Sequence, residues 1–362
     1  MEQVYRGAYC VLASSRSPGH YAGFLQAREQ RDTVSLQQEG ASAPFYICET
    51  IDDFNHHVLE GSLNKRGWVL QEHALARRTI YFTDYQTYFE CGDGVRCETL
   101  TKVKNEVATF LGDPNFPEII MRADPGERIL RYQDLYKKYS RLGLSETWDR
   151  TMAIDGLQAQ ILKALNAKGG YGIFDQGRDS GGLLRRSLLW RRDDDTPKMS
   201  FISFPKHHPI AKVPSWSWMA HAGGIDYISP PFGGVDWEKM KSPWSSNMGD
   251  SCGDVHTDIT GGNVALVAEA RDYNAHAAIR DGDGEIILDR PGGSQQRTTK
   301  CVVLGVKKGI EELKVKDRTH YLLVVLVTND LDRNGLQIYE RVGAGYLPGK
   351  CIGSERQTIS IH

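Results

Sequence analysis

The stretch NKRGWVLQEHALARRTIYF, residues 64 to 82, decides how the first part of this chain reads. Arg66 to Ala76 reads as a helix, with Trp68, Leu70 and Leu75 as its apolar positions. Thr79 to Phe82 follows as a strand of β-branched and aromatic residues, and Thr87 to Cys91 as a second strand across the turn Thr83-Asp84-Tyr85-Gln86. Glu72 sits beside Trp68 near the helix start, where a carboxyl of raised pKa could serve as a general acid or base. The same carboxylate has a plainer role open to it, because Arg66, Arg77 and Arg78 lie close enough in sequence to pair with it.

Upstream, Tyr9 to Ser14 reads as a buried strand, and residues 15 to 44 as a long polar surface loop. The strand comes so soon after Met1 that either it stands near the natural start or an earlier part of a domain is missing. Phe45 to Cys48 is a short apolar run, and Phe54 to Leu59 suits a helical turn. Downstream, Pro114, Pro117 and Pro125 mark residues 111 to 128 as a connector. Helices are expected over 130–139 and 148–165, the second with Met152, Leu157, Ile161 and Leu165 as a core stripe and Gly169-Gly170 as its stop. Leu183 to Trp190 is apolar, and the charged run RRDDDTPK after it reads as a surface loop. In VPSWSWMAHAGGIDYI, 213 to 228, Trp216 and Trp218 alternate with serines. They either face one side of a core strand or line a cleft. Residues 230 to 262 read as mobile, and strands recur at 264–270, 286–288, 301–306, 321–327 and 336–341. The expected division is 1–110, a helical connector region 111–212 and a β-rich region 213–362.

The chain has 362 residues, a net charge of −2 and interleaved acidic and basic side chains, which gives no long-range pull toward nucleic acid. No apolar run is long enough for a membrane span. Seven scattered cysteines read as free thiols in a reducing, cytoplasmic setting. His56-His57 and His207-His208 are adjacent pairs whose side chains diverge, and the Cys91–Cys97 spacing does not fit a zinc knuckle, so neither metal nor cofactor is expected. The glycine-rich segments 169–177 and 180–182 lack a phosphate-loop pattern, and no nucleophile motif is present.

These residues carry a family likeness. RGWVLQEHALARRTIYF resembles the RxWxxQE…R…F signature of the fungal heterokaryon-incompatibility (HET) domain. VYRGAYCVLASS resembles the helix and strand that come earlier in that domain, and YQTYFEC the aromatic strand that follows. DRTMAIDGLQAQI, SLLWRR and VPSWSWMAHAGGIDY are similar, in this order, to elements found after HET domains in filamentous-fungal proteins. The opening motifs of the family, similar to YxxLSYxWG and LWIDxLCIxQ, are missing. The resemblance implies an α/β fold: a partial, TIR-like HET unit, then a helical segment, then a β-rich C-terminal unit. It carries Arg66, Trp68, Gln71 and Glu72 over as motif residues, with Glu72 as the one candidate for catalysis.

Two functions follow from that likeness. The first is self/non-self recognition (heterokaryon incompatibility) through protein partners. The second is a small-molecule enzyme, a cyclase, isomerase or hydrolase, in fungal secondary-metabolite biosynthesis.

Overall fold

The computed structural model describes the chain apart from residues 1, 20, 29–31, 39, 41–42, 50, 104–120, 178–181, 208–211, 245–263, 292–297 and 310–314. Pro114, Pro117, His208, Cys252 and most of the segment read as mobile lie outside the described residues. The fold is mixed α/β with a few helices and many strands. It divides into two compact units, residues 1–120 and 121–362. The helices expected over the connector region fall within the second unit, together with the β-rich region.

The first unit opens with helix α1 (Glu2–Gly7) and strand β1 (Val11–Ala13), then a hairpin of β2 (Thr33–Leu36) and β3 (Phe45–Cys48). A π-helical turn (Asn55–Leu59) precedes α2 (Gly67–Leu75), which leads into β4 (Arg78–Phe82), β5 (Thr87–Cys91), β6 (Gly94–Cys97) and β7 (Lys102–Val103). These form a sheet in the order β1-β4-β5-β6-β7, with β1 parallel to β4 and the other pairs antiparallel. Period-two alternation turns Thr79 and Tyr81, Tyr88 and Glu90, and Val95 and Cys97 inward. Tyr81, Tyr88, Val95 and Cys97 build a core with Phe54 and Val58, and the Phe54 ring stands edge-on to Tyr81 and Tyr88.

Two expectations are corrected here. The strand near the start is not buried: β1 is an edge strand paired only with β4, and Leu12 is 60% exposed. The polar stretch 15–44 is not all loop, because β2 lies within it and pairs with β3.

The second unit begins with α3 (Pro125–Ser140) and α4 (Met152–Leu165). α3 starts earlier than its apolar pattern suggests because Pro125 occupies the first turn, where no amide donor is needed. Its buried stripe is Tyr132, Tyr136 and Tyr139. α4 buries Leu157, Ile161 and Leu165 as expected, but Met152, in its first turn, is exposed. α4 stops at Asn166, which takes the left-handed conformation, and not at Gly169-Gly170. Those glycines lie in β8 (Lys168–Gly170), which pairs with β9 (Ile173–Asp175).

Next come α5 (Leu183–Leu188), β10 (Trp190–Arg192), β11 (Ser200–Phe201), β12 (His221–Ala222) and β13 (Ile225–Tyr227). The charged run is therefore partly strand, and Asp193 within it is buried against Arg141 at 2.9 Å. PSWSW is not a strand. It turns at 214–217 and enters a 3-10 turn (Trp218–Ala220), with the Ser217 hydroxyl accepting from the Met219 amide.

The tail adds β14 (Val235–Trp237), β15 (Leu266–Arg271), α6 (His276–Asp281), β16 (Glu285–Leu288), β17 (Thr299–Lys307), β18 (Thr319–Leu331), β19 (Gln337–Pro348) and β20 (Gln357–Ile361). Five of these strands close a ring in the order β15-β17-β18-β19-β20, and β20 returns to β15. β14 extends the ring beside β17, and β16 beside β19. β18 is buried from His320 to Leu326, which explains its nearly continuous apolar sequence.

Candidate functional site

The motif stretch forms one helix and one strand, and each of its polar side chains has a definite place. Arg66 caps α2 in extended conformation (φ −91°, ψ 133°) without a side-chain capping bond, and is exposed. Trp68 is half-buried and Gln71 buried. Seven of the nine α2 residues are buried, among them Val69, Leu70, Ala74 and Leu75, so this short helix is covered on more than one side.

Glu72 is half-buried and accepts a hydrogen bond from the Tyr5 hydroxyl of α1. Burial, then the Glu72 charge and its hydrogen bond, push the Tyr5 phenol up to about 12. The ion pairs expected with Arg66, Arg77 or Arg78 do not form. Among the described residues no arginine is within ion-pair distance of Glu72. The carboxylate ties α1 to α2.

The next residue makes the contact that the sequence reading missed. His73 Nε2 lies 2.7 Å from Glu90 Oε2, and the Tyr81 hydroxyl donates to the same oxygen at 2.7 Å. These side chains come from α2, β5 and β4, and are 7%, 3% and 2% exposed. With Glu90 ionised, its carboxylate can only accept, so His73 presents Nε2–H to it. Burial first, then the Glu90 charge, holds the Tyr81 hydroxyl well above the usual phenol range. A carboxylate, an imidazole and a phenol are acid–base chemistry by composition. Closed off from solvent, they join the helix to two strands. The signal was present in YQTYFEC: alternation puts Glu90 on the inward face with Tyr88, and an inward glutamate requires a partner.

A second polar cluster stands at the other end of β5. His57 Nδ1 is 2.7 Å from the Tyr88 hydroxyl and its ring stacks on Tyr85 at 3.9 Å. Gln86 Nε2 donates to Tyr88 and to Asp52. Burial lowers the His57 pKa against the pull of Asp53. His56 turns away toward Glu60, as adjacent side chains do. Among the described residues, no group of three His, Cys, Asp or Glu side chains is placed to hold a metal ion. No described helix is long and apolar enough to cross a membrane.

In the second unit, Trp216 and Trp218 are both 0% exposed. Trp216 Nε1 donates to the Val264 carbonyl, and its own carbonyl accepts from Trp190 Nε1. Trp218 packs on Tyr136 and Tyr139, with the Arg150 guanidinium 5.2 Å from its ring. They are core side chains of the second unit.

Compared with family models, with curated proteins and with solved structures, the chain finds no match.

Proposed function

We propose that this chain is a HET-related, cytoplasmic protein of the self/non-self recognition type, which works by binding other proteins. On this reading the first unit corresponds to the later, TIR-like part of a HET domain. The motif supports it: Trp68, Gln71, Glu72 and His73 sit on one short helix tied to the sheet, and Glu72 and His73 are engaged in hydrogen bonds between elements of that unit.

The observation that carries the proposal is the β2–β3 hairpin. Its register pairs Val34 with Ile47 and Leu36 with Phe45, which places all four on one face. They are 61%, 55%, 50% and 60% exposed. A two-stranded hairpin is marginal in water by itself, and a contiguous apolar face of this kind is characteristic of a protein-binding surface. The alternative, an enzyme of secondary metabolism built around Glu72, has less support, because that carboxylate is occupied by Tyr5.

The test is a fusion assay between fungal strains. Strains expressing the wild-type chain are expected to give an incompatibility reaction with some partner strains. A Phe45→Asp/Ile47→Asp double variant, accumulating to the same level, should fuse normally. Normal fusion by the wild type in every pairing, or an unchanged reaction with the variant, refutes the reading.

A further inference from the structure

We infer that the second unit holds a binding site for a compact apolar molecule bearing one carboxylate. The inference does not rest on the recognition reading. A cavity of about 370 Å³ opens between the first turn of α3, the end of α4 and strand β14. That volume falls in the range of small-molecule sites. Its apolar wall includes Phe232, Trp237, Leu165 and Leu183, and its charged lining residues are Arg128 and Lys308. Among the described residues that line it there is no Asp or Glu.

The aromatic walls are set in place by their neighbours. Trp237 lies against two glycines: a Cβ at Gly182 would come within 2.1 Å of the indole, and one at Gly305 within 2.7 Å. Gly182 also has φ +70°, so both its conformation and its lack of a side chain are needed there. Phe232 is 47% exposed, an unusual position for a large apolar ring, yet the Arg186 guanidinium sits 4.2 Å from its centroid and 5.1 Å from that of Trp237. Arg186 is itself buried and fixed by the carbonyls of Pro230 at 2.7 Å and Pro231 at 3.0 Å. One fixed guanidinium thus lies against both aromatic rings of the wall.

The charge balance chooses the ligand's polar group. Lys308 Nζ donates to the Gly233 carbonyl at 3.0 Å, and its carboxylate partner among the described residues is Asp236, at the long distance of 3.9 Å. Arg128 uses Nε and Nη2 on the carbonyls of Ala123 and Met121, and its Nη1 makes no hydrogen bond among the described residues. Pro125 and Gly126 of the α3 first turn also line the cavity, adding the positive end of a sixteen-residue helix. Cationic and apolar side chains on one lining suit an aromatic carboxylic acid of about two fused rings.

Isothermal titration with 2-naphthoate and with neutral 2-naphthylmethanol tests the site. The acid is expected to bind saturably, about tenfold more tightly than the alcohol, as one charge-assisted hydrogen bond provides. Phe232→Ala should weaken both probes, and Lys308→Gln should reduce the preference for the acid. Both positions are substantially exposed, and unchanged melting temperatures will show that the variants fold. Absence of saturable binding, equal affinity for the two probes, or affinities indifferent to both substitutions overturns the inference.

Discussion

His73 and Glu90 meet at 2.7 Å inside the first unit, joining α2 to β5 where neither side chain reaches water. A buried carboxylate is tolerable only with its donors in place, and His73 and Tyr81 supply them on one oxygen. The motif helix is therefore fixed to the sheet by a polar joint as well as by apolar packing.

Removing that joint has a definite cost. Glu90→Leu leaves the His73 and Tyr81 donors buried without an acceptor, and is expected to destabilise the first unit by about 3 kcal/mol. Glu90→Gln keeps an acceptor oxygen and should cost about 1 kcal/mol. Hydrogen exchange of the α2 amides in a urea series measures both. Equal, small losses would show that the joint contributes nothing.

Glu72 and Tyr5 make a milder pair. Because the folded-state pKa of Tyr5 is raised, its stabilising contribution is complete below about pH 10 and is lost as pH rises through about 12. Glu72→Gln removes the charge and should bring the Tyr5 pKa back toward 10. NMR of ring-labelled tyrosine, assigned with Tyr5→Phe, follows the titration. A Tyr5 pKa that does not move on Glu72→Gln would assign the shift to burial alone.

In the second unit His221 gives a sign-definite pH dependence. Burial lowers its pKa from 6.5 to about 4, with Asp289 opposing and Arg341 and Arg290 assisting. The unfolded chain takes up the proton first, so stability present above about pH 6.5 is lost as pH falls to about 4. The full loss is about 3 kcal/mol. Denaturation curves of wild type and His221→Gln across that window should converge at low pH. Parallel curves would place the acid sensitivity elsewhere.

Arg341 is the most demanding side chain of the second unit. It is fully buried, with Nε 3.2 Å from Asp289 Oδ2, Nη1 donating to the Leu188 carbonyl at 2.8 Å and Nη2 to that of Trp190. Its guanidinium also stacks 3.2 Å from the Trp190 ring centroid. Arg341→Ala leaves Asp289 buried without this partner and is expected to cost about 3–5 kcal/mol in calorimetry or urea unfolding. The double change Arg341→Met/Asp289→Leu should recover much of that loss, whereas no recovery would mean that the two carbonyl bonds dominate.

Much of the secondary structure could be read from local pattern. α2, β4 and β5 followed from composition and alternation, and β15 to β19 from their apolar runs, because these elements bury what their own sequence supplies, whereas β14, inside the segment read as mobile, and β20 carry no such run. What escaped depended on neighbours. β1 looked buried by composition but has only one sheet neighbour. PSWSW alternated like a strand, but Ser217 caps a 3-10 turn instead. Glu72 was legible as a polar residue of the motif helix, while its partner lay 67 positions earlier, on α1, and not among the nearby arginines. The walls of the cavity come from α3, α4, α5 and β14, a convergence that no short window of sequence contains.

The bulge at Val342 adds a consequence for how the ring is assembled. There β19 carries one extra residue: Val324 faces Gly343, but Val325 faces Arg341. A one-residue slip of β19 along β18 would reverse the facing of every side chain beyond it and carry the guanidinium away from the Leu188 and Trp190 carbonyls, more than 150 positions back along the chain. Such a slip would leave Asp289 buried without its guanidinium partner, so the Arg341–Asp289 pair penalises the wrong register and favours the one with the bulge.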